Sequence, residues 1–547
     1  MKTIKYITLL AVGSIFAACE DLDTQPEGDT VTGEQKIEVY KNDPDRGLSA
    51  VNAVYTQMKT YEPNYDALGG SAHSDFGYAS IMAYTDRNGE DMVSKSTGYN
   101  WFSNSIDYAN RVRGQYNTQI IWNDLYSYIK VSNDILSSFD LTFESTETEF
   151  EALSATNKFS AAQGYAVRAF SYFNLVQLYA FNIVGHETDP ACVIINESNS
   201  DEVAVDGALL STVQEVYDFI YSDLDKAIKL LSAAQDNGQT RADARYVDLA
   251  VAYGLRARVN LVAQKWAEAA ADAQKAIEES TAKIASIEDV GVPYFSDLSE
   301  GNWMWGINVE ENDDIVKSGI VNYPSHCYTL NYGYANYSGA SQISKKLYAT
   351  IASTDIRKGW WVDTDTISAN LNAEQQAMMK SYHYAPYTVC KFAPYKNEVE
   401  TSTNANDIPL MRIEEMYLIE AEALARQGKD ATTVLNAFVK ENRDPQFNAA
   451  DYTGDDLINE IWRQRRIEFW GEGLNWFDVM RMGKGIDRRG AGFAVQYVYK
   501  IDANDGILLW PVPESEVEAN KALKEAGYSY LYFRPTAITD ADIALYE

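Results

Sequence analysis

The sequence predicts a mostly α-helical protein, a tetratricopeptide-like scaffold of paired helices that carries long aromatic-rich loops and minor short strands. Apolar residues recur with a 3.6-residue period through segments at about 46–60, 118–139, 160–181, 211–233, 243–262, 266–280, 411–427, 431–441 and 454–471, the spacing that gathers them on one helix face. Several segments come in pairs with short connections. In the clearest pair, 243–262 is followed by an alanine-rich run from Lys265 to Ile277, whose small residues let two helices approach closely, although no strict repeat length is kept. With 547 residues and 46% hydrophobic composition, the chain can bury a large core, as one extended helical body or two closely packed halves.

The start of the chain reads as an export signal. Lys2 and Lys5 precede an apolar or small-residue stretch from Tyr6 to Ala18, and Phe16-Ala17-Ala18 leads directly into Cys19. The apolar run is shorter than the ~20 residues a membrane span needs, and acidic Glu20, Asp21 and Asp23 follow at once. Small residues before a cysteine at this point resemble a bacterial lipobox, which makes Cys19 the candidate lipidation site. Ordinary secretion with cleavage nearby is the alternative. Residues 1–18 are thus read as a lipoprotein signal peptide. Residues 19–45, rich in Asp, Glu, Thr, Gly and Pro, form a flexible acidic tether too polar to bury itself. The helical region at 46–280 and a second region at 281–547 follow.

Charge and cysteine usage narrow the function classes. Without residues 1–18 the chain carries 44 basic against 79 acidic side chains, a balance of −35 that excludes nucleic acid and direct docking on anionic lipid. Membrane contact would run through the N-terminal lipid alone. Cys192, Cys327 and Cys390 lie far apart with no CxxC pair, so neither a zinc ribbon nor a disulfide framework is expected. The four histidines, His73, His186, His326 and His383, show no metal-ligand spacing, and no GxSxG elbow or phosphate loop is present. No cofactor is expected. Asp86-Arg87-Asn88-Gly89-Glu90-Asp91 has the acidic, glycine-containing look of a calcium loop but lacks the twelve-residue EF-hand register, which leaves a solvated turn or a structural calcium.

Two stretches break the helical texture. Between about 281 and 410 the chain fills with Gly, Asn, Ser and aromatic residues, and about 61–113 has the same character; irregular stretches this rich in aromatic rings are functional more often than disordered. Trp303-Met304-Trp305 alternates like a strand, so at least one of its indoles should face the core.

Three segments carry a family resemblance. Arg168-Ala169-Phe170-Ser171-Tyr172-Phe173-Asn174-Leu175 resembles the RAxxYFxL helix of the SusD/RagB family of outer-membrane nutrient-uptake lipoproteins. Arg412-Ile413-Glu414-Glu415-Met416-Tyr417-Leu418-Ile419-Glu420-Ala421-Glu422-Ala423 resembles its RxxExxLxxAEA helix. Arg465-Arg466-Ile467-Glu468-Phe469-Trp470-Gly471-Glu472-Gly473, running into Trp476-Phe477-Asp478-Val479-Met480-Arg481, resembles its RRxExxxEGxRxxDLxR signature. Trp510-Pro511-Val512-Pro513 and Gly527-Tyr528 are similar to its terminal PIP and NPGY positions, with Lys524-Glu525-Ala526 where a QNP run is expected.

These segments also have a physical reading. Glu415 and Glu422 lie seven residues apart on one helix face, with Arg412 one turn before Glu415; Arg465, Glu468 and Glu472 share a face with Ile458 and Ile461. Charges on such apolar faces must pair, which predicts an interhelical ion network. The alternative, a glycosidase-like acid pair, is disfavoured because neighbouring arginines would hold both carboxyls ionised.

The resemblance implies a binding protein and not an enzyme: a surface-exposed lipoprotein of the outer membrane that captures oligosaccharide and passes it to a SusC-like TonB-dependent transporter. A peptide-capturing member of the same family, a surface hydrolase and a purely protein-binding scaffold stay open beside it. Tyr and Trp together number 49 against 19 Phe, so the aromatic content leans toward rings that stack on a sugar and also hydrogen-bond. The expected ligand-binding residues are Trp101 and Tyr99, set among Gly98, Asn100, Ser103 and Asn104, and Tyr328, Tyr332, Tyr334 and Tyr337, interleaved with Asn331, Gly333, Asn336 and Gly339.

Overall fold

The computed structural model describes residues 33–61, 72–96, 100–317, 319, 322–337 and 339–528, and the fold it shows is predominantly helical. Helix begins earlier than the sequence reading placed it. α1 (Gly33–Asn42) and α2 (Pro44–Gln57) occupy the last part of the stretch read as a tether. Pro44 opens α2 at a position where its missing N–H costs nothing. Tyr40 accounts for the difference: its ring lies 5.7 Å from that of Phe139 and its carbonyl accepts a hydrogen bond from Asn157 Nδ2. The lipidation cysteine, Cys19, lies outside the described residues.

α3 (Tyr78–Asn88) falls in a stretch read as irregular. Every one of its residues is buried, so it has no polar face and leaves no amphipathic period to detect. α4 (Tyr116–Ser137), α5 (Ala155–Tyr179), α6 (Val213–Asp236), α7 (Leu249–Val262) and α8 (Trp266–Glu279) fall where the periodicity places them. Ser154, Thr212 and Asp248 cap α5, α6 and α7, each side chain accepting from a backbone N–H of the first turn. α5 packs on α4 and α6, and α7 on α8. At Gly164 of α5 an added Cβ would sit 3.1 Å from Leu136 Cγ and 3.2 Å from the Ser132 carbonyl, so the missing side chain sets the α4–α5 spacing.

α8 then meets α9 (Ile413–Arg426), which packs on α10 (Thr432–Asn442) and α11 (Asp455–Glu468), with α12 (Asn475–Arg481) completing the C-terminal set. One cluster of buried apolar side chains runs from Val51 to Val517 and joins both halves of the chain. Among the described residues no helix is long and apolar enough to cross a membrane.

Strands are short. Trp303–Ile307 pairs antiparallel with Ile408–Arg412, and both are buried along their whole length, so Trp303 and Trp305 both face the interior. Met92–Val93 pairs with Gln342–Ile343, which ties the two irregular stretches together and brings their aromatic loops to one place.

Candidate functional site

The framework beneath the site is a buried charge network built from the three signature segments. Arg168 lies wholly inside, bidentate to Asp223 at 2.7 and 2.8 Å, and also holds Asn133 and Glu197, so one guanidinium joins α4, α5 and α6. Glu468 receives Arg412 at 3.0 Å, Arg443 at 2.9 Å and Arg357 at 3.3 Å. Burial pushes its carboxyl upward, but Arg443, Arg412 and Arg357 outweigh that and hold it below the usual range. Glu472 takes Lys391 and Arg412.

The pairing differs from the sequence reading in register. Arg412 has extended backbone ahead of α9, so it does not share a helix face with Glu415; it reaches Glu414, Glu468 and Glu472 instead. Glu415 is taken by Arg258 of α7, and Glu422 by Arg481 of α12. α11 ends at Glu468, which leaves Glu472 in the turn beyond it, off the face of Arg465. The stretch with the look of a calcium loop is likewise committed to the protein. Asp86 accepts from the Gly473 amide at 3.1 Å, and Glu90 and Asp91 both hold Arg466. These carboxylates brace α3 against the signature segment.

Above this framework the two irregular stretches build an aromatic surface. Trp101 is 37% exposed, and its indole is stacked on the His73 imidazole with centroids 4.5 Å apart and planes 12° from parallel. His73 Nδ1 shares a 2.7 Å hydrogen bond with the Tyr334 hydroxyl, and the Tyr334 ring meets Trp101 edge-on at 6.4 Å. Tyr334 in turn stacks on His326 at 4.8 Å, whose imidazole is walled by Phe76 and Phe102. Burial, then the Arg87 charge, pushes His326 well below the usual imidazole range, and burial alone lowers His73, so both rings are neutral at pH 7. Trp101 therefore stands on an aromatic stack and stays 37% exposed.

The turn that holds Tyr334 also carries Tyr337, 41% exposed, whose hydroxyl meets that of Tyr332 at 2.7 Å. Tyr382 joins this pair; burial and a hydrogen bond from its hydroxyl to Glu400 push it up to about 12, with both tyrosines close by.

Of the sequence-predicted site residues, the structure brings Trp101 and Tyr334 into one stack and pairs Tyr332 with Tyr337. Tyr99 lies outside the described residues. Tyr328 is a correction: it is 1% exposed and stacked on Phe392 at 4.4 Å, a core ring that no ligand reaches. Its small polar neighbours pointed to a loop, but long-range packing under the loop decides its burial. His73, His326 and Tyr382 were missed. The two histidines are 253 positions apart in the chain and only tertiary contact joins them. Tyr382 lay within the aromatic-rich stretch already singled out, and that density was the one available signal.

The fold and this surface define a class, a helical scaffold that presents aromatic loops. Residues 325–530 match the profile of the SusD family, and residues 66–261 match one described as starch-binding associating with outer membrane. The chain belongs to the SusD-like family of carbohydrate-binding proteins. It is 25% identical over 436 residues to SusD-like protein P2 of Formosa agariphila, covering 75% of this chain and 80% of that one. It is 28% identical to the starch-binding protein SusD of Bacteroides thetaiotaomicron over 157 residues, 26% of each chain. In fold it is similar to a SusD-like carbohydrate-binding protein from Bacteroides vulgatus, with TM-score 0.68 at 21% identity over 88% of this chain and 97% of that one. It is also similar to surface glycan-binding protein A of B. thetaiotaomicron in complex with laminarihexaose, with TM-score 0.59 at 17% identity over 88% and 98%.

Proposed function

We propose that the protein captures oligosaccharide at the outer membrane on the exposed indole of Trp101 and hands it to a SusC-like TonB-dependent transporter, tethered by a lipid on Cys19. The observation that carries the reading is the Trp101–His73–Tyr334 stack: a half-exposed indole held flat by neutral rings is suited to the apolar face of a sugar. Tyr332, Tyr337 and Tyr382 add phenolic donors and acceptors for hydroxyls. The acids of the signature helices are engaged by arginine and lysine, which supports binding over hydrolysis.

Calorimetric titration with a panel of neutral oligosaccharides tests the reading, with Trp101→Ala as the control. Saturable binding that Trp101→Ala weakens supports it. Binding confined to peptides would assign the protein to peptide capture, and new reducing ends in the mixture would make it a hydrolase. Co-purification of an outer-membrane transporter with the wild-type protein tests the partner.

A further inference from the structure

Past Tyr334 the aromatic face continues through Tyr337, Tyr332 and Tyr382 to an exposed carboxylate, Glu400. Tyr332 and Tyr337 meet almost at right angles, with ring centroids 6.0 Å apart and planes at 85°. The backbone sets Glu400 beside them: its amide donates to the Leu330 carbonyl at 2.9 Å, and the Tyr332 amide donates to the Thr401 carbonyl at 2.8 Å. The Tyr382 hydroxyl donates to the carboxylate itself. Glu400 has φ 61°, in the left-handed region that strains a residue with a side chain, and the two backbone hydrogen bonds hold it there.

The fold leaves this charge without a counterion. Lys396, four residues earlier in the same loop, is taken by Glu311 at 2.7 Å, and among the described residues Glu400 has no ion pair. The exposed Lys95 is part of the Trp101 loop, its carbonyl accepting from Asn100 Nδ2 at 2.8 Å, and it too makes no ion pair with Glu400. An ionised carboxylate only accepts hydrogen bonds, at about four lone-pair positions, and Tyr382 fills one of them. A ligand that meets the others must bring donors. Adjacent hydroxyls of a sugar ring do so, one to each oxygen. A carboxylate or sulfate on the sugar has no donor to offer and adds a like charge.

We propose that Glu400 is a specificity-determining residue of this face, accepting from adjacent hydroxyls of an uncharged sugar and rejecting a glycan whose sugar at that point bears a carboxylate or sulfate. It rests on the oligosaccharide reading above and narrows the glycan to the neutral class.

Affinity electrophoresis of the full chain in gels containing laminarin, xyloglucan or mannan, and in gels containing alginate or polygalacturonate, tests it. Retardation is expected in at least one neutral polymer and in neither acidic one. Glu400→Gln, which keeps the shape but loses the charge and half the acceptors, should weaken the neutral complex about fivefold, the loss expected for one hydrogen-bonding partner at an exposed site. A neutral complex equally strong in Glu400→Gln overturns the proposal. So does an acidic polymer that retards the wild type and no longer retards Trp101→Ala, an outcome that leaves oligosaccharide capture itself intact. Retardation by none of the polymers would instead overturn the capture reading, and the assignment of Glu400 with it.

Discussion

The imidazole of His73 lies flat against the indole of Trp101, 4.5 Å between ring centroids, and joins it to Tyr334 through a single hydrogen bond. Three loop residues from two distant stretches thereby act as one rigid platform. Because a stacked ring contributes about 1 kcal/mol beyond its buried area, Trp101→Ala should weaken oligosaccharide binding about tenfold or more, a change of ~1.4 kcal/mol, with little loss of Tm. His73→Ala should weaken it less, about fivefold, by leaving the indole unsupported. Calorimetry on both variants checks the order; an affinity unchanged by either would place the site elsewhere.

Tyr337 and Tyr328 separate surface from core within one loop region. Tyr337→Ala should leave thermal stability intact and lower affinity, since its ring is exposed and its hydroxyl faces Tyr332. Tyr328→Ala should cost about 3–5 kcal/mol of stability, the usual penalty for truncating a buried ring. Denaturant melts on the pair decide this, and a stable Tyr328→Ala would refute its placement in the core.

The charge network should behave as structure. Glu468→Ala leaves Arg412, Arg443 and Arg357 without their shared partner, and Glu472→Ala does the same to Lys391 and Arg412. Each should cost about 3–5 kcal/mol. Glu468 sits below its ordinary value of 4.5 in the folded state, so its contribution is present above pH 4.5 and is lost as pH falls. Urea titrations of the wild type and both variants at pH 7 and pH 4 would reveal both effects, and a Glu468→Ala penalty that grew on acidification would contradict the assignment.

Glu300 should show the opposite sign. Burial raises it to about 8, against lowering by the Ser296 amide and the Trp303 indole that hydrogen-bond to it. The folded state therefore holds its proton more tightly than the unfolded chain, and the stability Glu300 contributes falls as pH rises from about 4.5 to about 8. Replacing it by Ala should accordingly destabilise the protein more at pH 5 than at pH 8. A penalty equal at both pH values would argue against a raised carboxyl.

Cys19→Ala tests the anchor. The variant should move from the membrane to the soluble fraction with its melting curve unchanged and lose incorporation of a fatty-acid analogue. Membrane retention in the variant would eliminate the lipid.

The sequence by itself determined much of the helical scaffold, because helices such as α6, α8, α10 and α11 each bury one face and keep another wet, and that alternation is written in the local order of residues. It also determined that the charges of Arg412, Arg465, Glu468 and Glu472 would be paired, since ionised groups among Leu and Ile have no other stable state. That Trp101 would stay exposed was legible from its polar, small-residue neighbours. What the tertiary structure decided was every partnership across the chain. α3 was hidden because a helix buried on all sides shows no period, and Tyr40 turned tether into helix by finding Phe139. Tyr328 and Tyr334 stand in the same kind of loop sequence and both are buried, yet one packs under Phe392 and the other, at 8% exposure, between His326 and His73. That difference comes from which distant element covers each ring, and local sequence carries no record of it.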